Sequence, residues 1–180
     1  KDAPRIQCLI PVRVGSKNDP AETTGLARYL EHLMFKGTTH FGTMNWEAEA
    51  PLLDQIEQQF EVYRRTRDQQ ARDSIYHVID SLSFLASGYA IPNEYDKMMK
   101  FIGSQGTNAG TSNDYTVYIE DIPSNQLENW AMIQADRFSN PIFRIFHTEL
   151  ETVYEEKNTS LAKDSRKASE AMLSALSPNN

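Results

Sequence analysis

Residues 25–38 have the sequence GLARYLEHLMFKGT, and this stretch carries the strongest signal in the chain. Its apolar residues recur at helical spacing, which predicts a helix from about Thr24 to Phe35. Thr23 or Thr24 can cap the start of this helix, and Gly37 can end it. Its expected apolar stripe consists of Leu26, Leu30, Leu33 and Met34.

The polar face of this helix gathers three side chains. Arg28, Glu31 and His32 stand at positions i, i+3 and i+4, so all three project from one face. An isolated Glu-His pair occurs often by chance, and its meaning depends on the residues around it. His40 and His77 have no carboxylate at an obvious spacing and are interpreted as ordinary surface or packing histidines.

Composition narrows the class of protein. The chain has 180 residues and a net charge of −7, from 18 Lys and Arg against 25 Asp and Glu. This balance argues against a nucleic-acid binder, which needs a basic surface to displace counterions. No run of 18 apolar residues exists, so no membrane span is expected. Cys8 is the single cysteine and cannot form an internal disulfide.

The rest of the chain alternates between helices and few strands. Alternation predicts strands at Arg5–Gly15 and Tyr115–Glu120, with Pro11 favouring an edge position in the sheet. Two helical periods between Glu47 and Ile91 predict an antiparallel helical hairpin. Glycine-rich residues 103–112 are expected to form a loop. Further helices are expected at about residues 93–103, 124–140 and 147–176.

The predicted order of elements gives an α+β class with an antiparallel sheet packed by helices. Two strands are too few for an independent sheet. More strands are therefore expected, either within the loops or outside these residues.

In residues 25–38 the sequence resembles the pitrilysin/insulinase family of zinc peptidases, whose inverted motif is H-x-x-E-H. The resemblance implies that Glu31 is the general base that activates a metal-bound water and that His32 is the second histidine ligand. Lys36, Gly37 and Thr38 match the F-x-G-T that follows the motif in this family. The implied fold is a metallopeptidase half-domain.

A later helix carries the third ligand in this family, within the pattern E-x-x-x-V-x-x-E. Glu149, Val153 and Glu156 have this spacing and lie on one helical stripe. The resemblance implies that Glu156 binds zinc and that Glu149 supports the zinc ligands without binding the metal itself. By themselves these glutamates would be interpreted as an acidic helix surface.

A third match concerns substrate binding. Residues 106–112, GTNAGTS, are similar to the family pattern N-A-x-T-S, followed by a strand. The resemblance implies that substrate peptides add to the edge of that strand, with Asn108 near the scissile bond. The alternative is a plain Gly/Asn turn that leads into a strand.

The sequence departs from the family in its spacing. Between His32 and Glu156 lie 123 residues, more than is usual in the family. We interpret the hairpin at residues 47–91 as an inserted module, which is similar to inserts in family members from Bacteroides-like bacteria.

The second departure is chemical. Arg28 occupies the position of the first histidine ligand, and a guanidinium offers no lone pair to a metal. His32 and Glu156 alone fall short of the three protein ligands typical of catalytic zinc. We therefore expect weak zinc binding or none, and poor peptidase activity or none. Arg28 could supply positive charge to a metal-free site, or it could point to water.

Three functions remain open. Residues 1–180 could be the N-terminal part of a zinc endopeptidase domain in which Arg28 is an engineered or accidental change. They could instead be a naturally degenerate half that pairs with a catalytic half and holds peptides, or a structural or peptide-binding module. The codon at position 28 would separate the first two. The resemblance implies peptide substrates, a missing second half or a homologous subunit as partner, and a bacterial periplasm or envelope.

Overall fold

The computed structural model describes residues 4–162 and 164–176. Two single 3₁₀ turns, Ser16–Asn18 and Ser124–Gln126, accompany the regular elements. In chain order these elements are β1 (Arg5–Val12), α1 (Leu26–Leu33), α2 (Trp46–Arg65), α3 (Gln69–Ser87), α4 (Glu94–Phe101), β2 (Gln105–Thr111), β3 (Thr116–Pro123), α5 (Leu127–Ser139), α6 (Phe146–Leu161) and α7 (Asp164–Leu176). The architecture is α+β, as predicted, and the last helical segment is two helices instead of one.

The strands form one antiparallel sheet in the order β1-β3-β2. In β1, Arg5 pairs with Pro123 and Val12 with Thr116, so Pro11 lies on an edge strand as its missing N–H predicted. Strand β3 alternates strictly, with one face buried against the helices. The buried residues of β3 are Thr116, Tyr118, Glu120 and Ile122.

The position of β2 shows that two predictions from the sequence are wrong. Residues 105–111 form a strand although their Gly, Asn and Thr composition predicted a loop. Backbone hydrogen bonds to β3 stabilise this strand, although its composition does not favour a strand. A register shift between Gln105 and Asn108 accommodates Gly106, whose φ is +75°. The strand that contains Tyr115–Glu120 is therefore central and paired on both sides. Peptides cannot add to it, and the edge on this side of the sheet is β2.

A polar layer lies inside the main core between β3, α4 and α5. The Tyr95 hydroxyl donates to Glu120 Oε1 at 2.6 Å and accepts from Arg137 Nη1 at 3.0 Å. The Arg137 guanidinium stacks over the Phe35 ring at 4.3 Å and the Tyr118 ring at 4.4 Å. Burial raises the pKa of Tyr95, although the nearby Arg137 charge opposes that shift. Aromatic rings and a buried cation thus join the helices to the sheet.

Helices α2 and α3 pack as the predicted hairpin. Their contact is centred on Ile56, Ile79 and Ala86, all buried. Asn45 caps α2 through the Ala48 amide, and an aspartate at position 68 caps α3 in the same way. The connection spans residues 66–68 and is as short as the two periods predicted.

The loop at residues 36–42 wraps around one buried arginine. Arg144 donates from Nη1 to the Lys36 carbonyl at 2.9 Å and from Nη2 to the Thr38 carbonyl at 2.8 Å. Its Nε donates to Glu49 Oε1 at 2.8 Å, and both side chains are almost fully buried. Gly37 has φ +109°, and a Cβ there would lie 2.6 Å from Arg144 Nη1, so the loop requires glycine at this point.

The chain divides into two compact units, Lys1–Phe146 and His147–Asn180. The first contains the sheet, the hairpin and both hydrophobic clusters. The second contains α7 and nearly all of α6. Among the helices that the structure describes, none combines the length and apolar character needed to cross a membrane.

Candidate functional site

Helix α1 carries the sequence motif, and an aspartate in the preceding turn fixes its start. Asp19 Oδ2 accepts from the Gly25 amide at 2.7 Å, and Oδ1 accepts from the Ala27 amide at 2.8 Å. The expected capping residues Thr23 and Thr24 do not fill this role. Asp19 lies six residues before Gly25, outside the usual capping spacing, so local pattern could not identify it.

The buried face of α1 differs from the predicted apolar stripe. Leu33 is buried as expected, but Leu26 and Leu30 are 41% and 37% exposed. Ala27 and Glu31 are buried instead, at 5% and 6%. A buried carboxylate on this face needs polar partners, and the sheet provides them.

Glu31 reaches the end of β2. The Thr111 hydroxyl donates a short hydrogen bond to Glu31 Oε2. Thr111 Oγ1 also lies 3.1 Å from Thr116 Oγ1, and Thr116 in turn donates to the Val14 carbonyl at 3.0 Å. Sequence reasoning singled out Glu31 but missed Thr111 as its partner, since the two residues are 80 positions apart.

The charge of Glu31 also acts on the central strand. Burial raises the pKa of Tyr118; the Arg137 charge opposes this shift, and the Glu31 charge adds to it. Glu31 therefore lies close enough to β3 to influence the groups buried there.

Arg28 and His32 lie on α1 one turn apart, as the spacing predicted. Arg28 is exposed and His32 is half-buried. The structure thus confirms the helical placement of the motif. Of the three side chains, Glu31 alone is buried.

Glu149 and Glu156 lie on α6, with Glu149 half-buried and Glu156 exposed. Val153, between them in the motif, is buried. The three residues therefore lie on one helix, as the sequence predicted. The convergence of this stripe with Glu31 and His32 stays a prediction.

Asn108 is exposed on the edge strand β2. Its Oδ1 accepts from the Ala109 amide at 2.9 Å. The role of Asn108 in substrate binding stays a prediction.

His40 has a carboxylate partner that its sequence spacing did not indicate. Its Nδ1 lies 2.7 Å from Asp136 Oδ1, across 96 residues of chain. Asp136 Oδ2 also accepts from the Thr38 hydroxyl at 2.6 Å. These contacts fasten the loop at residues 36–42 to α5, so we interpret the role of His40 as structural.

The donors on α1 do not by themselves fit a zinc site. Within residues 4–146, no group of three or more His, Cys, Asp or Glu side chains is arranged to hold a metal ion. Helix α1 offers one imidazole, from His32, and one carboxylate, from Glu31, that already accepts from Thr111. Position 28 adds a cation without a lone pair. Any complete site would need further ligands in place of Arg28.

Comparison with known proteins gives two findings. Residues 1–53 match the model of the family described as Insulinase (Peptidase family M16). The matched residues include β1, α1 and the start of α2, and so cover Arg28, Glu31 and His32. The match supports a peptidase origin for this part of the chain.

The fold is similar to that of a solved structure described as a protease from Helicobacter pylori. The TM-score is 0.56 at 22% sequence identity, over 87% of this chain and 26% of that chain. The present chain therefore spans about a quarter of the length of that protease. No curated protein matches the sequence significantly.

Proposed function

We propose that the chain is part of an insulinase-type peptidase whose site is incomplete at Arg28, so that these residues alone do not hydrolyse peptide bonds. One observation carries the proposal: α1 holds Glu31 buried against the sheet, with His32 beside it and Arg28 one turn earlier. The family match over the same residues and the likeness to a protease fold support it.

In this proposal His32 and Glu156 would be the ligands of a zinc ion, and Glu149 would support them. Zinc, when bound, supplies an activated water, and Glu31 would be the carboxylate that exchanges its proton. Catalytic zinc usually has three protein ligands. With Arg28 at the position of the first histidine ligand, only two of these ligands remain, and we expect zinc to bind weakly or not at all.

Zinc titration of the purified chain tests the proposal. Arg28→His should raise zinc affinity by more than about 100-fold, because losses in supporting residues alone already cost about 10–100-fold. Arg28→Gln is the matched control, since it removes the charge but adds no imidazole. The zinc affinity of Arg28→Gln should be at most slightly higher than that of the original chain.

Two results would contradict the ligand assignment. Equally tight binding by the original chain and Arg28→His would point to other donors, with His40 or His147 the first candidates. Equal failure of both would mean that these residues do not assemble a zinc site. We choose metal binding as the measurement because hydrolysis would also require the second half of the peptidase.

A second candidate is a non-catalytic half that holds peptides for a catalytic partner. The observation that favours it is the edge position of β2, where Asn108 is exposed. Backbone pairing at such an edge binds extended peptides of many sequences. The partner in this case would be a second half or a homologous subunit.

Amide chemical shifts measured during titration with an extended peptide test this candidate. The amide chemical shifts of residues 105–111 should change, whereas those of residues 5–12 on the opposite edge strand should stay constant. Equal changes on both strands would indicate non-specific edge pairing and contradict the assignment.

A further inference from the structure

Thr111 stands at the point where β2, β3 and α1 meet. It is the last residue of β2 and pairs with Thr116, the first residue of β3. Its hydroxyl donates to Glu31, which is 6% exposed. Among the described residues, Thr111 is the one hydrogen-bond donor to the Glu31 carboxylate.

We propose that Thr111 is the positioning residue of Glu31: its hydroxyl sets the direction of the carboxylate from the same strand whose free edge would receive a peptide. This inference rests on the proposed function, in which Glu31 is the proton-exchanging carboxylate. The two features lie on one strand, with Thr111 three positions after Asn108.

The physical argument starts from the flexibility of glutamate. A glutamate side chain has several rotatable bonds, and ordering it costs free energy. A buried carboxylate without a donor is also costly, because it has lost its hydration. One charge-assisted hydrogen bond from a rigid strand both satisfies Glu31 and selects its rotamer.

The position of Thr111 is itself well supported. Its backbone pairs with β3, and its Oγ1 lies 3.1 Å from Thr116 Oγ1. Thr116 is buried and is tied to the Val14 carbonyl. A donor held in this way fits the general requirement that a group supporting a reactive carboxylate is itself locked by packing and hydrogen bonds.

Side-chain NMR of Glu31 at one fixed neutral pH tests the proposal. In the original chain, three-bond couplings should report one Glu31 rotamer, and the Thr111 hydroxyl proton should give an NOE to the Glu31 γ-methylene. Thr111→Val keeps the shape but removes the donor, so the couplings should become rotamer-averaged. Thr111→Ser restores the hydroxyl and should restore a single rotamer.

The same strand provides a matched control. Thr107 donates to the buried carboxylate of Glu120 at 2.7 Å, so Thr107→Val removes an equivalent bond without touching Glu31. It should leave the Glu31 couplings unchanged. If Thr107→Val and Thr111→Val disturbed Glu31 equally, the effect would come from general loosening of β2, and the proposal would be overturned.

One measurement needs no variant and applies even if Thr111→Val does not fold. The Thr111 hydroxyl proton of the original chain should exchange slowly with water, because a buried carboxylate holds it. Exchange as fast as that of an exposed threonine would overturn the proposal. If Glu31 responds to Thr111→Val while the Arg28→His chain binds no zinc, the positioning holds and the proposed function fails.

Discussion

At the scale of single residues, the Glu49–Arg144 ion pair is the contact whose loss by mutation we expect to destabilise the fold most. The two side chains are 0% and 2% exposed, and Arg144 also holds the loop at residues 36–42. Glu49→Ala would leave a buried guanidinium without its counter-charge. We expect a loss of about 3–5 kcal/mol in the free energy of unfolding.

Denaturant unfolding of the variants measures this loss. Glu61→Ala on the same helix is the control, because Glu61 pairs with Arg64 on the solvent side. Exposed pairs contribute little, so this variant should unfold like the original chain. Equal effects of the two variants would show that burial of the Glu49–Arg144 pair is unimportant.

A second residue-scale prediction concerns acid stability. Burial alone would raise the pKa of Asp136, but hydrogen bonds from Thr38, Asn140 and His40 outweigh it and lower the pKa below its usual value. The bound carboxylate therefore stabilises the fold above the pKa of an unfolded aspartate, about 3.9. This contribution disappears as the pH falls through the folded-state pKa.

Unfolding measured between about pH 5 and pH 2.5 tests this linkage. The original chain should be more stable than Asp136→Asn at pH 5, and the difference should shrink as the pH falls. Asp54→Asn, at an exposed position of α2, serves as the control and should show a much smaller change. A difference between the original chain and Asp136→Asn that grew on acidification would contradict the assigned direction.

At the scale of elements, two side-chain contacts join the helical hairpin to the rest of its unit, in addition to the backbone pairing of residues 42–44 with residues 89–91. Glu49 joins its base to Arg144, and Phe60 packs on Phe146 with ring centroids 5.4 Å apart. The interpretation of residues 47–91 as an insertion predicts that the rest of the unit folds without them. From the two contacts we expect complete removal to lower stability, because it takes the Glu49 carboxylate from the buried Arg144 and uncovers Phe146.

Two deletions distinguish these contributions. Replacing residues 62–75 by a short Gly/Ser loop keeps both side-chain contacts and should preserve cooperative unfolding. Replacing residues 47–91 removes both and should lower the unfolding midpoint substantially. If the short deletion abolished cooperative unfolding, the hairpin tip would be part of the core; if the long one cost nothing, the two contacts would be irrelevant to stability.

At the scale of the whole molecule, the zinc proposal combines His32 with Glu156, which have 123 residues of chain between them. Glu156→Gln in the Arg28→His background should lower zinc affinity by at least about 10–100-fold, which is the usual cost of losing merely supporting groups. Glu155→Gln is the neighbouring control and should have no effect. Isothermal titration with zinc measures both, and equal affinities in the two variants would remove Glu156 from the site.

The sequence by itself determined the parts that depend on local pattern. Helical spacing predicted α1 to α5, including the hairpin that α2 and α3 form, and alternation predicted β1 and β3. The motif spacing also placed Arg28, Glu31 and His32 on one helix, as the structure confirms. These features were predictable because neighbours three, four or two residues apart fix the face of a helix or strand.

Only the tertiary structure decided the contacts that close over long stretches of chain. It made β2 a strand and put β3 in the centre of the sheet. It also buried Glu31 beside Thr111 and joined Glu49 to Arg144. None of these has a local periodic signal, since pairing partners and buried polar contacts 80 or 95 residues apart are chosen by packing and by the need to satisfy groups removed from water.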